Sequence, residues 1–155
     1  LVLIPEGGAT LASNFETFWE KSSFAVIGHE VRKNFPVLTY QGLKKLGKTV
    51  YAVDPSVKEI DGVRSFSDLG CLPESVEAAV IEVPKEETAA WIGEVAKTGI
   101  RDVWIHMGRE TPEALALAEE NGLNVRSGTC AVMYVSRGFT YHSIHKGIMK
   151  LIGKY

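Results

Sequence analysis

A short apolar strand that ends in glycine and leads into a polar turn constrains this chain most. Residues 24–27 read Phe-Ala-Val-Ile, Gly28 follows, and a polar, basic segment leads to a helical pattern that begins near Pro36. This order of buried strand, glycine turn and helix is typical of α/β units that hold an anion on the first amides of a helix. The dinucleotide fingerprint G-x-G-x-x-G is absent, because the next glycine after Gly28 is Gly42. The sequence therefore predicts a phosphorylated ligand that is held differently from NAD.

Apolar runs alternate with helical patterns along the rest of the chain. Continuous runs rich in Val and Ile predict strands that are buried on both faces of a parallel sheet. The predicted strands are 24–28, 49–54, 78–83, 102–107 and 123–127. The predicted helices are 37–46, 86–98 and 112–121, with a shorter helix at 13–22. Right-handed crossovers with one reversal of direction then give a doubly wound α/β sheet of about five parallel strands, in the order 3-2-1-4-5 and with flanking helices.

Two segments depart from this regular alternation. Residues 63–75 contain Ser65, Ser67 and Asp68, which predict a short turn of helix rather than a full crossover. Gly42 lies inside the predicted helix 37–46, where helix propensity does not favour it. We expect Gly42 to allow close packing of that helix against a strand.

The composition limits the class of protein. The chain has 155 residues, a formal net charge of -2 and 45% hydrophobic residues, which predicts one globular domain with a sizeable core. The slightly acidic charge argues against a nucleic-acid partner, and no apolar run approaches the roughly 20 residues that span a bilayer. Two cysteines, Cys71 and Cys130, lie far apart, which favours a reduced, cytoplasmic protein over a disulfide-linked one.

The predicted topology places a ligand beyond the carboxyl ends of the strands, at the switch point between the first and fourth predicted strands. The loop after the first strand supplies two cations and helix amides, which suit a pyrophosphate but also fit a solvated basic turn. Asp54 ends the second strand, where a carboxylate accepts hydrogen bonds from an adenosine ribose; a simple Asp-Pro turn fits the same residues. The candidate binding residues are Gly28, His29, Arg32, Lys33, Asn34, Asp54, Pro55, Lys58, Val83, Pro84, Lys85 and His106.

Motifs spread over residues 24–130 resemble those of small bacterial and archaeal CoA-binding proteins. They are, in chain order, Ala25-Val-Ile-Gly28, Tyr51-Ala-Val-Asp-Pro55, Gly62, Ser65, Asp68-Leu69, Leu72-Pro73, Val83-Pro84, Val103-Trp104-Ile105, Ala118, Gly122-Leu123 and Cys130. The resemblance implies a Rossmann-like domain, similar to the N-terminal CoA-binding domain of the succinyl-CoA synthetase α-subunit. It also implies coenzyme A or an acyl-CoA as the ligand, with the nucleotide end over residues 28–34 and near Asp54, Pro55, Val83 and Pro84. The pantetheine arm would then extend toward residues 106–109.

Cys130 is a candidate nucleophile at this site. A thiolate beside the thiol of CoA could exchange disulfides or accept an acyl group, if a neighbouring base activates it. His106 is the base that the predicted topology brings near Cys130. A cysteine that follows a buried strand is also typical of simple packing, and we expect no catalytic residue here.

The segment after Cys130 predicts a C-terminal helix with one charged and one apolar face. Its lysines are Lys146, Lys150 and Lys154, and its apolar stripe is Ile144, Ile148, Leu151 and Ile152. Packing of this stripe on the domain or on a second copy is favoured over a membrane surface. His142 and His145 lie one turn apart but have no further ligand at suitable spacing, so no metal site is expected. The predicted division is 1–23 for an extension with a short helix, 24–130 for the binding domain and 131–155 for the helical tail.

Three functions remain open from the sequence. The first is a non-catalytic module that binds CoA through backbone amides, Arg32 and Lys33. The second is an NAD-linked oxidoreductase or redox-sensing protein, which Asp54 favours and the missing glycines oppose. The third is a structural or regulatory module that dimerises through the C-terminal helix.

Overall fold

A computed structural model describes residues 15–135 of the chain. Several predictions concern residues beyond this range. They are the start of the helix predicted at 13–22, the histidine pair His142 and His145, and the amphipathic stripe with its lysines. All of them lie outside the described residues.

Residues 15–135 form a seven-stranded, mostly parallel sheet with helices on both faces. The strands are β1 (Ser23–Ile27), β2 (Thr49–Val53), β3 (Glu59–Ile60), β4 (Val63–Phe66), β5 (Ala78–Ile81), β6 (Asp102–Ile105) and β7 (Asn124–Arg126). Their order in the sheet is β3-β4-β2-β1-β5-β6-β7, and the pair β3–β4 is antiparallel. The Rossmann-like α/β fold is therefore confirmed, with seven strands in place of the expected five.

The sequence pattern did not predict the strands β3 and β4. Residues 63–75 were expected to contain a short helical turn, and they do contain the 3₁₀ turn Leu69–Cys71, which Asp68 caps. The residues before this turn also form β4, which pairs with β3 in a hairpin whose turn has Asp61 and Gly62 at positive φ. β4 then pairs in parallel with β2. If the antiparallel strand β3 is left out and the six parallel strands are numbered along the chain, their order in the sheet is 3-2-1-4-5-6. In this numbering β4 is the third strand and β5 is the fourth. The switch point therefore lies between β1 and β5, and not between β1 and the strand predicted at 102–107.

The helices are α1 (Glu30–Lys33), α2 (Val37–Lys45), α3 (Thr88–Ala96), α4 (Pro112–Glu120) and α5 (Val132–Val135). α2, α3 and α4 correspond to predicted helices with small shifts, whereas α1 lies in a segment that was expected to be a turn. Thr111 caps α4, because its Oγ1 accepts a hydrogen bond from the Ala114 amide at 3.0 Å. α3 begins two residues later than predicted, since Lys85–Glu87 forms a separate 3₁₀ turn.

Two hydrophobic cores lie on opposite faces of the sheet. Alternation along β1 assigns Phe24 and Val26 to one core and Ala25 and Ile27 to the other. The first core is covered by α2, α5 and the 3₁₀ turn Phe18–Glu20, and the second by α3 and α4. The segment before β1 and the segment after β7 therefore pack on the same face of the sheet.

Gly42 allows a close approach between two helices. A Cβ at this position would lie 2.6 Å from Cγ2 of Val135 and 2.9 Å from the Val135 carbonyl oxygen. The expected contact with a strand is therefore wrong, because the partner of Gly42 is the short helix α5. This packing fixes α5 and the preceding Cys130 beside α2.

Within the described part of the chain, no helix is long and apolar enough to cross a membrane.

Candidate functional site

A cavity of about 320 Å³ opens at the carboxyl edge of the sheet, where the segments after β1 and β5 meet. Its wall is formed by the first loop, the start of α2 and the residues that follow β5, β6 and β7. The lining residues are Lys33, Asn34, Phe35, Pro36, Val37, Leu38, Thr39, Glu82, His106, Cys130 and Val132. Three predicted residues, Lys33, Asn34 and His106, therefore meet in one cavity. Parallel strands place their carboxyl ends at one edge, which explains why they meet.

Gly28 allows the first loop to fold back on the end of β1. A Cβ here would lie 2.5 Å from Cδ of Pro36 and 2.7 Å from the Phe35 ring, so a larger residue has no room. Asn34 has φ 62°, a left-handed value that asparagine tolerates better than most residues and that reverses the chain before α2. This fold-back brings the start of α2 to the switch point.

The amides of α1 are already bonded within the protein. Glu30 donates its amide to Asp54, Val31 donates to Oγ of Ser56, and Arg32 donates to Nδ1 of His29. These amides are therefore not available to a ligand. The open helix start at this edge is that of α2.

Asp54 braces the first loop from the end of β2. Its side chain is fully buried, and its Oδ1 accepts hydrogen bonds from the Ser56 amide at 2.8 Å and the Ser56 hydroxyl at 2.6 Å. Its Oδ2 accepts the Glu30 amide. Asp54 does not line the cavity, so its carboxylate holds the protein's own loop instead of offering a free acceptor to a ribose.

Arg32 ties the first loop to the segment after β5. Its guanidinium donates to Glu86 and to Glu87, each at 2.7 Å, and the Arg32 side chain is 48% exposed. Nε2 of His29 lies 3.8 Å from the same Glu87 carboxylate. Arg32 and His29 therefore sit in a surface cluster of charges, beside the cavity but outside its lining.

The start of α2 offers hydrogen-bond donors to the cavity. Pro36 at the N-cap provides no side-chain cap, and the helical ladder starts with the Tyr40 amide donating to the Pro36 carbonyl at 3.1 Å. The amides of Leu38 and Thr39 precede that first bond. Thr39 is fully buried, and its hydroxyl has no hydrogen-bond partner among residues 15–135. These groups match the requirements of an anion, which helix dipoles and free amides stabilise.

Two cations lie close together at the same place. Burial and the positive charge of Arg109 lower the pKa of Lys33, and the carboxylate of Glu82 raises it in part. Nε of Arg109 is buried and has no partner within the described chain. Because like charges in proximity disfavour their own ionised forms, a bound anion would stabilise this pair.

Glu82, His106 and Cys130 form a connected row on the cavity wall. Nδ1 of His106 lies 2.7 Å from Oε1 of Glu82, and the imidazole also makes a hydrogen bond with the Cys130 thiol. Burial alone would lower the pKa of His106, but the hydrogen bonds and charges of Cys130 and Glu82 raise it to about 9. The imidazole therefore carries a proton at neutral pH.

The other predicted residues lie near this edge but not in the cavity lining. Pro55, Lys58 and Lys85 are exposed, and Val83 and Pro84 are buried. Val83 belongs to the second core. They follow β2 and β5 and surround the first loop from two sides.

Sequence reasoning did not select Glu82, Thr39 or Arg109 individually. Glu82 fell inside the strand predicted at 78–83, whereas β5 ends at Ile81 and makes Glu82 the first residue beyond it. An acidic residue directly after an unbroken apolar run was the available signal. Thr39 looked like any polar helix residue, because the orientation of α2 was unknown.

A second cavity, of about 270 Å³, lies between α2 and the β3–β4 hairpin. Its walls are mainly apolar and include Phe35, Tyr40, Ala52, Ile60 and Val63. Among the described residues, no group of three or more His, Cys, Asp or Glu side chains is placed to hold a metal ion.

The switch-point cavity on a doubly wound sheet, with an open helix start and cations beside it, is typical of nucleotide-binding α/β domains. Residues 22–136 match the model of the CoA binding domain, and the chain belongs to this family. The resemblance inferred from the sequence motifs is thereby confirmed.

Comparison with individual proteins agrees with this assignment. The chain is 28% identical over 114 residues to the α-subunit of an ADP-forming acetate–CoA ligase II from Pyrococcus furiosus, covering 67% of this chain and 23% of the ligase subunit. It thus spans about a quarter of that relative's length.

Solved structures share the fold. A hypothetical protein from Pyrococcus horikoshii OT3 superposes with a TM-score of 0.69 at 21% identity, over 79% of this chain and 87% of that one. The dinucleotide-forming acetyl-coenzyme A synthetase 1 of Ca. Korarchaeum cryptofilum superposes with a TM-score of 0.56 at 23% identity, over 67% of this chain and 25% of that one.

Proposed function

We propose that this chain binds coenzyme A in the switch-point cavity and acts as a binding module without turnover. The observation that carries the proposal is the uncapped start of α2, with the buried Thr39 hydroxyl beside it and Lys33 in the same cavity lining, in a chain of the CoA-binding domain family. A pyrophosphate supplies the acceptor atoms that these donors lack.

The proposed orientation places the pyrophosphate at the start of α2, near Lys33 and Arg109. The pantetheine arm then runs along the cavity wall toward His106 and Cys130. The nucleotide end leaves over the first loop, where Gly28, His29, Asn34, Pro55, Lys58, Val83, Pro84 and Lys85 form its surroundings. The cavity is at the small end of ligand sites, so it holds the middle of the ligand while the adenosine lies over the exposed loops.

The remaining parts of the proposal follow from this one. We place the protein in the cytoplasm, where CoA is a common thiol and unlinked cysteines persist. Homodimer formation through the segment after Val135 stays a prediction.

An NAD-linked role loses its main support, because the Asp54 carboxylate is already engaged with Glu30 and Ser56. Ligase activity like that of the Pyrococcus furiosus relative would need parts that lie beyond the matched quarter of that subunit.

Replacing Lys33 with Gln is expected to weaken CoA binding about 10- to 150-fold, since a charge-assisted hydrogen bond contributes about 1.5–3 kcal/mol. Arg32→Gln is expected to cost less than about threefold, because its guanidinium already pairs with two carboxylates at the surface. Titration calorimetry with CoA measures both. Lys97→Gln, which removes an exposed lysine at the C-terminal end of α3, is the matched control and should bind like the parent.

Equal losses of CoA affinity for Arg32→Gln and Lys33→Gln would indicate that the phosphates bind at the surface cluster of Arg32, Glu86 and Glu87 instead. No loss for Lys33→Gln would contradict the proposed phosphate position.

A further inference from the structure

We propose that Cys130 is a covalent attachment site for CoA, which it captures by disulfide exchange with the help of His106 and Glu82. The inference deepens the proposed function and rests on it, because the pantetheine arm must extend along the wall that these three residues form. Its product is a stoichiometric mixed disulfide between the protein and one CoA, so it requires no turnover.

The first observation is the connected row of side chains. Glu82 lies 2.7 Å from Nδ1 of His106, and the imidazole hydrogen-bonds the Cys130 thiol. All three residues line the same cavity, although Cys130 exposes only 5% of its surface. A thiol in contact with an imidazole that a carboxylate orients is the arrangement that activates cysteine nucleophiles.

The second observation concerns the buried carboxylate. Glu82 exposes 5% of its surface, and its Oε2 has no hydrogen-bond partner among residues 15–135. A buried carboxylate with a vacant acceptor is costly unless a neighbouring cation stabilises it. His106 and Lys33 are the cations beside it. Glu82 is therefore a positioning residue that holds the His106 ring against Cys130.

The other cysteine provides an internal contrast. Cys71 is exposed, and its thiol and its amide both donate to the carboxylate of Asp68. The Cys71 thiol is thus engaged with a carboxylate at the surface, whereas the Cys130 thiol lines the cavity together with an imidazole. Accessibility alone would select Cys71 for reaction, but the position in the proposed CoA site selects Cys130.

The step balances with the disulfide of CoA as the oxidant. The Cys130 thiol gives up its proton to solvent, the protonated His106 stabilises the resulting thiolate, and the thiolate attacks one sulfur of the CoA disulfide. A bond forms between Sγ of Cys130 and that sulfur, while the original S–S bond breaks. The second CoA leaves as a thiolate and takes up a proton from solvent, which balances the proton released by Cys130. Cys130 and one CoA end as a mixed disulfide, and the other CoA is reduced.

The same cavity makes the exchange selective. The start of α2 and Lys33 provide a phosphate site on the wall that Cys130 shares. A disulfide that carries a pyrophosphate is therefore held with its sulfurs near Cys130, whereas a small disulfide without phosphate gains nothing from these groups.

The test uses intact-mass spectrometry, because the chain has only two cysteines. Cys71→Ser and Cys130→Ser proteins are each incubated with CoA disulfide and, separately, with glutathione disulfide. We expect the Cys71→Ser protein to gain one CoA at least tenfold faster than the Cys130→Ser protein, and at least tenfold faster than it gains glutathione. Equal rates on the two cysteines, or equal rates with the two disulfides, would overturn the proposal.

His106→Gln and Glu82→Gln in the Cys71→Ser background test the two helpers. An unassisted thiol ionises near pH 8.5, so we expect the His106→Gln rate to fall about tenfold for each pH unit below that value. The rate of the parent protein should change far less with pH. The pH dependence of the Glu82→Gln rate should lie between those of the parent and of His106→Gln. Identical pH profiles would contradict the role of His106.

Calorimetry with reduced CoA separates this inference from the function on which it rests. Reversible binding of CoA without an adduct on Cys130 would reject the attachment site and leave the proposed function intact. Absence of both binding and adduct would reject both.

Discussion

The free energy of unfolding is expected to fall by roughly 3 kcal/mol as the pH rises from about 6.5 to about 9, because of His106 alone. Contacts with Cys130 and Glu82 overcome the effect of burial and raise the pKa of this imidazole to about 9 in the folded protein, from 6.5 in the unfolded chain. A folded-state pKa that is raised contributes stability fully below the unfolded value and loses it as the pH passes the folded value.

Urea unfolding at intervals between pH 6 and pH 9.5 measures this dependence, with His106→Gln as the matched protein. The difference in stability between the two proteins should be largest near pH 6 and shrink steadily toward pH 9.5. Cys130→Ser should retain only part of the dependence, since it keeps Glu82 and loses the thiol. A difference that stays constant across this range would mean that His106 does not gain a proton on folding.

The second large effect is expected at Asp54. Asp54→Ala should lower the free energy of unfolding by about 2–4 kcal/mol, because it leaves the amides of Glu30 and Ser56 without their acceptor. Asp54→Asn should cost about 1–3 kcal/mol, since the amide keeps one acceptor but turns an NH₂ group toward one of the donors. Chemical denaturation at pH 7 gives both values.

Ser56→Ala is the matched control for Asp54, because it removes one hydroxyl donor and leaves the carboxylate with both amides. It should cost clearly less than either Asp54 variant. If Asp54→Asn proves as stable as the parent while losing CoA affinity, the carboxylate touches the ligand, and the bracing role of Asp54 is wrong.

The fold followed from the sequence wherever one physical signal was strong. Unbroken apolar runs identified β1, β2, β5 and β6, because strands buried on both faces are built mainly from apolar residues. Thr111 and Gly122 bounded α4 through their capping chemistry.

The short strand β4 could not be recognised in the same way. It has four residues, and Arg64 and Ser65 interrupt its apolar character. Its identity depends on pairing with β2, which is a tertiary contact that no local pattern encodes. Missing it moved the expected switch point by one strand, from β5 to β6.

The sequence was sufficient to predict which edge of the sheet carries the candidate site, but not which side chains form it. Strand topology placed Lys33, Asn34 and His106 together, as the cavity shows. Charge alone could not tell Lys33 from Arg32, because only the structure shows that Glu86 and Glu87 already pair with Arg32. Likewise, Asp54 was expected to accept hydrogen bonds from a ribose, and only the structure shows that the amides of Glu30 and Ser56 already occupy its carboxylate.

A crystal structure of the complex with CoA would show whether CoA occupies the cavity between the segments after β1 and β5. We expect pyrophosphate oxygens within hydrogen-bond distance of the Leu38 and Thr39 amides and of Nζ of Lys33, with the pantetheine sulfur beside Cys130. A complex in which CoA lies instead in the apolar cavity of Tyr40, Ile60 and Val63, with the start of α2 untouched, would contradict it.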